Sequence, residues 1–255
     1  MIAPRFRFRR PIPVITGIVV LLGIAGADCR SEHPDDPAGV YSYRSPTPEV
    51  GTGRIYHDRE IARVRSHDEV AEWLDRPERE VSELSDRLVD ALDLKPADVV
   101  ADIGAGTGFY TFRIARTVPH GRVLAVDIQP EMLADIRERA ERESIRNVEP
   151  ILGSEKDPHL PTESVDVVLI VGSYPEFYYP YEMMRGIVQS LVPGGRVVLV
   201  EYRGEDETIP MPALQRLTEV QARREMSAVG LRWLRTLDVL PRQHLMTYEK
   251  PVMED

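Results

Sequence analysis

The residues best suited to chemistry form a glycine-rich run, Asp102-Ile103-Gly104-Ala105-Gly106-Thr107-Gly108. An apolar run precedes it and a helical pattern follows it, which predicts a tight turn from a strand into a helix. Glycine suits such a turn because it accepts left-handed backbone angles and lets a ligand approach closely. The start of the helix would offer unpaired N–H groups to an anion. Asp127, nineteen residues beyond Gly108 at the end of the next predicted strand, is positioned for the two hydroxyls of a ribose.

The glycine spacing discriminates between two kinds of nucleotide site. A dinucleotide-binding turn has the pattern Gly-x-Gly-x-x-Gly, whereas this chain has Gly-x-Gly-x-Gly with Phe109 at the last dinucleotide position. An NAD or FAD site is therefore disfavoured. A glycine-rich turn also occurs where a helix and a strand simply pack closely. The nucleotide interpretation therefore depends on Asp127 and on the elements around the turn.

Apolar strand-like runs alternate with helical patterns around this turn. The predicted strands are 98–103, 122–127, 148–152, 165–171 and 196–201, with helices that include 109–118 and 180–191. Such alternation indicates parallel strands joined by right-handed helical crossovers. Two further runs, 231–237 and 244–249, have no helix between them and should pair antiparallel at one end of the sheet. The predicted fold class is α/β, a doubly wound, mostly parallel sheet with an antiparallel last strand.

A helix is also predicted ahead of the sheet. Val81, Leu84, Leu88 and Leu92 recur at spacings of three and four, so residues 78–92 should form one helix with a single buried stripe. This helix belongs to an N-terminal helical extension of a globular domain that spans residues 55–255.

The first 27 residues predict export. Residues 1–10 carry four arginines and no acid, and the apolar stretch from Pro11 ends in Ala25-Gly26-Ala27. This is the plan of a secretory signal peptide, either cleaved after Ala27 or kept as a membrane anchor. It places the domain outside the cytoplasm, in the periplasm of a bacterium. Residues 28–54 are rich in Pro, Asp, Ser and Gly and predict a flexible linker.

The charge and the cysteine count restrict the partners. The formal net charge is −10, and the four N-terminal arginines leave −14 on the rest of the chain. Such a surface should repel nucleic acid, so a small-molecule substrate is expected. The single cysteine, Cys29, allows neither an intramolecular disulfide nor a cysteine-based zinc site. The six histidines show no metal-ligand spacing, so no metal is predicted.

Three segments resemble the class I S-adenosylmethionine-dependent methyltransferases. They are Val99 to Gly108, Val126-Asp127-Ile128 and Leu191 to Arg196, and the resemblance covers roughly residues 91–250. The flanking segments look like a bacterial subgroup of methyltransferase-domain proteins; they are Arg59 to Ala62, Trp73 to Arg79 and Leu240 to Leu245. The resemblance implies a Rossmann-like sheet of seven strands in the order 3-2-1-4-5-7-6, and S-adenosyl-L-methionine as the cofactor.

The resemblance also implies roles for individual residues. The glycine turn would lie under the methionine part of the cofactor, with Asp102 facing its amino group. Asp127 would hold the ribose, and Ile128 would pack on the adenine. Glu155, after the third strand, would contact the adenine amino group, with Asp157 as its rival. The complete implied set is Asp102, Gly104, Ala105, Gly106, Gly108, Asp127, Ile128, Glu155 and Gly172.

The loop after the fourth strand supplies the candidate catalytic residues. It lies at the carboxyl edge of the sheet, where open α/β folds bind ligands. Similar proteins commonly carry a His where this chain has Pro175, so Glu176 is the candidate base, with Tyr174 and Tyr178 as aromatic walls. A base is needed only when the acceptor must first lose a proton, because alignment and exclusion of water otherwise suffice for methyl transfer.

Three functions compete on this sequence. The first is methyl transfer to a small molecule. The second is an exported, catalytically inactive module that binds S-adenosylmethionine or a related nucleoside, favoured by Pro175 and by export from the compartment where the cofactor is made. The third, a dinucleotide-dependent oxidoreductase, is weakened by the glycine spacing.

Overall fold

Long apolar runs in the middle of the chain become strands that are buried on both faces. A computed structural model describes residue 36 and residues 39–252, so the predicted signal or anchor at residues 1–27 lies outside the described residues. Val165–Val171 and the stretch from Val197 to Val200 are almost wholly buried. Continuous apolar sequence is typical of parallel strands that are covered by helices on both sides. No helix within the described part of the chain is both long and apolar enough to span a membrane.

The described residues form eleven strands and seven α-helices. The strands are β1 (Tyr41–Tyr43), β2 (Gly51–Tyr56), β3 (Arg59–Ala62), β4 (Val99–Ile103), β5 (Arg122–Asp127), β6 (Val148–Leu152), β7 (Val165–Val171), β8 (Leu191–Arg203), β9 (Arg216–Leu217), β10 (Arg232–Leu237) and β11 (Gln243–Glu249). The helices are α1 (His67–Leu74), α2 (Arg79–Glu83), α3 (Ser85–Ala91), α4 (Thr111–Thr117), α5 (Pro130–Arg142), α6 (Pro180–Ser190) and α7 (Glu219–Ala228). Short 3-10 turns cover Tyr174–Glu176 and Ala213–Gln215.

The main sheet has the strand order that the resemblance implies. Its path is β10-β11-β8-β7-β4-β5-β6, and the short β9 pairs with the end of β8. The strands β6, β5, β4, β7 and β8 pair in parallel, whereas β11 is antiparallel to both of its neighbours. Numbered as the seven predicted strands, this order is 3-2-1-4-5-7-6. The predicted doubly wound α/β fold is therefore confirmed, and β9 is an addition that the sequence did not predict.

Helices pack on both faces of this sheet and create two cores. On one face, Met184 and Ile187 of α6 and Met226 of α7 contact the side chains of β7 and β8. On the other face, Leu88 of α3 and Ile114 of α4 contact the apolar residues of β4 and β7. The two cores hold the strand ends rigidly, so the loops at the carboxyl edge start from fixed positions.

The prediction of one helix over residues 78–92 is wrong. Leu84 has a left-handed backbone, with φ of +48°, and separates α2 from α3. Val81, assigned to the buried stripe, is 79% exposed. The buried face of α2 instead carries Arg79 and Glu83, whose side chains pair at 3.1 Å. The break between α2 and α3 lets this charged pair face the protein interior. A hydrophobic stripe that is predicted for one continuous helix cannot account for such a change in direction.

The prediction that residues 28–54 lack fixed structure is wrong for residues 41–54. These residues contribute β1 and most of β2 to a three-stranded antiparallel sheet with β3. The cause is the buried carboxylate of Glu60, which accepts hydrogen bonds from the backbone N–H groups of Thr47 and Gly53, both at 2.9 Å. Hydrogen bonds, first among them that from the Thr47 side chain, outweigh burial and lower the pKa of Glu60 to about 2.

Two arginines, Arg54 and Arg59, attach this small sheet to the loop after β7. The Arg54 guanidinium carbon lies 4.0 Å from the centroid of the Tyr179 ring. Arg59 pairs with Glu225 of α7 at 2.8 Å and donates a hydrogen bond to the carbonyl oxygen of Pro175 at 3.2 Å. The N-terminal sheet therefore holds the loop that carries the candidate catalytic residues.

Candidate active site

The glycine-rich turn follows β4 and has left-handed backbone angles at each of its three glycines. The φ values are +71° at Gly104, +55° at Gly106 and +84° at Gly108. A Cβ atom on Gly104 would lie 2.6 Å from the Oγ atom of Ser173, and one on Gly106 would lie 3.0 Å from a methyl carbon of Leu74. Both positions need glycine for backbone conformation and for space.

Gly108 serves packing instead. A Cβ atom there would lie 2.7 Å from the Phe112 ring and 3.0 Å from Ile136, on the helix side of the turn. The close-packing explanation therefore applies to this glycine, whereas Gly104 and Gly106 face a cavity.

Asp127 links the second strand to the turn. It ends β5 and is 7% exposed. Its Oδ2 atom accepts a hydrogen bond from the N–H of Gly106, and its Oδ1 atom accepts one from the N–H of Gln129, both at 2.9 Å. Burial raises the pKa of the Asp127 carboxyl, and these backbone donors oppose the shift. Each oxygen keeps further acceptor capacity toward the cavity.

A cavity of about 900 Å³, counting its open mouth, lies at the carboxyl ends of β4, β5 and β7. We call it the larger cavity, in contrast to an adjoining smaller cavity that is described below. The predicted site residues that line it are Gly104, Gly106, Asp127, Ile128, Glu155, Gly172 and Glu176, together with the predicted aromatic wall Tyr178. The predicted residues outside this lining are Asp102, Ala105, Gly108 and Tyr174. Asp157, the rival of Glu155, is also outside, and its Oδ1 atom accepts the N–H of His159 at 2.8 Å.

Tyr174 does not form the predicted wall. Its side chain is fully buried, and its hydroxyl donates to Glu225 Oε2 at 2.7 Å. The 3-10 turn after Ser173 directs this ring into the core, toward the Arg59–Glu225 pair. Tyr174 therefore positions the loop, and a substrate in the larger cavity would not touch it.

Asp102 is likewise turned away from the cavity. It is 3% exposed and accepts a hydrogen bond from the Thr111 hydroxyl, in the first turn of α4, at 2.6 Å. Burial raises the pKa of Asp102 to about 6. In this arrangement Asp102 stabilises the start of the helix and lies outside the lining of the larger cavity.

Glu176 reaches the cavity from the loop after β7. Its side chain is 16% exposed and lies 3.4 Å from the Arg65 guanidinium, and Gln215 donates to its Oε1 atom at 3.1 Å. Burial raises the pKa of Glu176, and the charge of Arg65 opposes this. A carboxylate at a cavity wall whose pKa is raised by burial is a stronger proton acceptor than an ordinary glutamate.

The sequence analysis did not identify Glu201, a residue of β8 whose carboxylate binds the backbone of the same loop. It is fully buried in β8, and its Oε1 atom accepts the N–H groups of Ser173 at 3.2 Å and Tyr174 at 3.0 Å. Its Oε2 atom has no hydrogen-bond partner among the described residues. Burial raises the pKa of Glu201 to about 8. An acid at the end of a predicted strand was the available signal, as it was for Asp127.

This burial predicts a pH dependence of stability. Between about pH 4.5 and pH 8, the folded state keeps a proton on Glu201 that the unfolded state has released. The free energy of unfolding should therefore fall as pH rises through this window, by up to about 1.4 kcal/mol per pH unit. Urea unfolding of the wild type and of Glu201→Gln at several pH values checks this, because glutamine keeps the acceptor oxygen without titrating. Parallel pH curves for the two proteins would contradict the assignment.

Sequence reasoning also missed the wall formed by residues before β4. The larger cavity is also lined by Val64, Arg65, Val70 and Leu74. Gln129 holds this segment in place, since its amide accepts the N–H of His67 at 2.7 Å and donates to the carbonyl oxygen of Arg65 at 3.0 Å. No local pattern indicates these contacts, which join residues more than sixty positions apart.

The residues of the larger cavity fit S-adenosylmethionine. Gly104 and Gly106 contribute only backbone atoms to the floor of this cavity. A Cβ atom at either position would lie too close to a neighbouring side chain, at 2.6 Å and 3.0 Å respectively. The Asp127 carboxylate beside this floor has spare acceptor capacity for two ribose hydroxyls.

Comparisons with known proteins agree with this geometry. A sequence profile described as a methyltransferase domain matches residues 100–195. The chain is 33% identical over 135 residues to an uncharacterized methyltransferase-like protein of Schizosaccharomyces pombe, covering 53% of this chain and 49% of that protein. It is 37% identical over 132 residues to a tRNA U34 carboxymethyltransferase of Desulfotalea psychrophila, covering 51% of this chain and 38% of that protein. The chain thus spans less than half the length of these relatives.

A solved structure shares the fold over a larger part of the chain. The S-adenosylmethionine-dependent methyltransferase from Aquifex aeolicus superposes with a TM-score of 0.69 at 21% identity, covering 73% of this chain and all of that one. At this identity the likeness concerns the Rossmann-like fold. The profile match extends the likeness from fold to sequence, because the glycine turn and Asp127 both lie within residues 100–195. Residues 100–195 therefore match a methyltransferase domain, and by fold and by these residues the chain is similar to the class I S-adenosylmethionine-dependent methyltransferases.

Proposed function

We propose that this protein transfers a methyl group from S-adenosylmethionine to a small-molecule acceptor. The observation that carries the proposal is the larger cavity, where Gly104, Gly106 and Asp127 meet at the carboxyl ends of β4 and β5. Open α/β sheets bind their ligands at this edge. The third function weighed above, a dinucleotide-dependent oxidoreductase, has no support in the turn or in the relatives.

The residues around the cavity would have different roles in the reaction. S-adenosylmethionine held by Gly104, Gly106 and Asp127 would supply an activated methyl group to the acceptor. Asp127 would accept the ribose hydroxyls. Val64, Val70 and Leu74 exclude water from one side of the cavity. Glu176 would take the proton of an acceptor that carries one.

A small acceptor fits the charge and the shape of this protein better than a nucleic acid. The formal net charge is −10, which opposes phosphate binding. Val64, Arg65, Val70 and Leu74, from the segment before β4, form part of the cavity wall. One of the relatives described above modifies tRNA, so a nucleic acid acceptor belongs in the test as an alternative.

Cofactor binding is tested at Asp127. Asp127→Ala should weaken S-adenosylhomocysteine binding by roughly 1–3 kcal/mol, since charge-assisted hydrogen bonds to buried hydroxyls have this strength. Isothermal titration measures the change. Asp157→Ala is the matched control, because Asp157 lies outside the cavity lining and should leave the affinity unchanged. Equal affinity of a folded Asp127→Ala variant would reject the assignment.

Methyl transfer is tested by incubation with methyl-labelled S-adenosylmethionine and either a metabolite extract or tRNA. Label in small metabolites supports the proposal, and label in tRNA replaces the small acceptor by a nucleic acid. Tight S-adenosylhomocysteine binding without transfer to either would favour the inactive binding module.

We propose further that the protein works outside the cytoplasm. The support is the basic, apolar and small-residue plan of residues 1–27. Fusion of residues 1–50 to alkaline phosphatase, which is active only after export, should give an active enzyme. Replacing the four arginines and interrupting the apolar stretch should abolish that activity. An inactive fusion in the cytosol would overturn the proposal.

A further inference from the structure

A second cavity adjoins the larger one at the carboxyl ends of β7 and β8. We call it the smaller cavity, and it holds about 470 Å³ including open space. The two cavities share Arg65, Leu74, Val171 and Gly172 in their linings. A molecule in the smaller cavity would therefore lie directly beside a cofactor in the larger one.

The smaller cavity contains a buried amide that lacks a partner. Gln243 begins β11, opposite Tyr202 of β8, and is 4% exposed. Its Oε1 atom is buried and accepts no hydrogen bond from any described residue. Buried amide oxygens are normally paired because the loss of water is otherwise uncompensated. Gln243 lines the cavity, so an O–H or N–H group of a ligand would supply the missing donor.

The charges of the smaller cavity favour an anion. Its lining contains one carboxylate, Glu83, which Arg79 neutralises at 3.1 Å and Arg76 at 2.8 Å. The remaining charged residue of the lining is Arg65, whose Nε atom lies 3.4 Å from Glu176. Its two terminal nitrogens form no hydrogen bond within the part of the chain that the structure describes. The terminal nitrogens of Arg65 can therefore donate to a ligand carboxylate beside Glu176, at the junction of the two cavities.

Apolar walls complete the smaller cavity. Trp73, Leu74, Val200 and Met211 contribute side chains to the lining. Such walls accept a compact hydrocarbon body between the two polar positions.

We propose that the smaller cavity binds the methyl acceptor as a small organic acid. Its carboxylate would pair with Arg65, and an O–H or N–H group at its other end would donate to Gln243. This inference rests on the proposed methyl transfer and adds the chemical class of the acceptor.

The test is equilibrium binding to the full chain saturated with S-adenosylhomocysteine. The probes are para-hydroxybenzoate, para-hydroxyphenylacetate and salicylate, each compared with its carboxamide and with the acid that lacks the hydroxyl. At least one hydroxy acid should bind, and loss of either the charge or the hydroxyl should weaken its binding at least ~10-fold.

Two variants separate the two contacts. Arg65→Gln should remove the preference for the acid over the carboxamide, and Gln243→Leu should remove the preference for the hydroxy acid. Gln243→Met serves the same purpose if the leucine variant does not fold. Arg63→Gln is the matched control, because Arg63 pairs with Glu69 on the surface and lines neither cavity.

The outcomes distinguish this inference from the proposed function. Failure to bind S-adenosylhomocysteine would contradict the proposed function itself. Binding of S-adenosylhomocysteine with no binding of any acid, or with equal binding of acids and carboxamides, would overturn only the acid site. Weaker S-adenosylhomocysteine binding by Arg65→Gln, with acid preference retained, would assign Arg65 to the cofactor and would also overturn the proposal.

Discussion

Replacement of Glu176 by glutamine should lower turnover about 10²–10⁴-fold with a hydroxyl or protonated amine acceptor, while cofactor affinity changes little. The amide keeps the size of the side chain and its contact with Gln215, but it cannot take up a proton. Single-turnover transfer of labelled methyl groups measures the chemical step, and titration with S-adenosylhomocysteine measures cofactor binding.

The pH profile gives an independent readout of the same carboxylate. Burial raises the pKa of Glu176, so wild-type turnover should rise with pH through a value above that of an ordinary glutamate. This limb of the profile should vanish in Glu176→Gln. Glu138→Gln is the matched control, since Glu138 is an exposed residue of α5 outside the lining of the larger cavity. Full turnover by Glu176→Gln would show that alignment alone suffices, as with an acceptor already ionised near neutral pH.

Replacement of Gly106 by valine should abolish S-adenosylhomocysteine binding, with a loss of affinity of at least ~100-fold. The new side chain would point toward Leu74, since a Cβ atom on residue 106 would lie 3.0 Å from a Leu74 methyl carbon, and it would fill the floor of the larger cavity. The left-handed backbone would add a cost of about 1–2 kcal/mol for an L-residue. Isothermal titration measures binding, and circular dichroism shows whether the domain is folded.

Gly230→Val separates the loss of space from the backbone strain. Gly230 also has a left-handed backbone, with φ of +86°, but no described atom lies within 4 Å of a Cβ atom placed there, and it lines neither cavity. This variant should lose stability and keep its affinity. Normal binding by Gly106→Val would mean that the turn is a packing feature throughout, as it is at Gly108.

The amino-acid sequence by itself indicated the strands of the main sheet and their parallel alternation with helices, whereas the order of the strands came from the family resemblance. Strands such as Val165–Val171 are buried on both faces, so their apolar runs are continuous and independent of distant partners. The glycine turn and Asp127 were predictable for a related reason, because both follow directly from a strand end. Their meeting was predictable too, since neighbouring parallel strands end at the same edge of the sheet.

Only the tertiary structure decided which side chains face the cavities. Tyr174 and Glu176 lie two positions apart in one short turn, yet the first is buried against Glu225 and the second lines the larger cavity. Arg59 of the N-terminal sheet contacts the Tyr174 ring, whereas Arg65 and Gln215 bind the Glu176 carboxylate. Arg65 and Gln243 meet at one cavity although 178 positions separate them. Such contacts join remote segments through buried charges and hydrogen bonds, which leave no periodic pattern in the sequence that could reveal them.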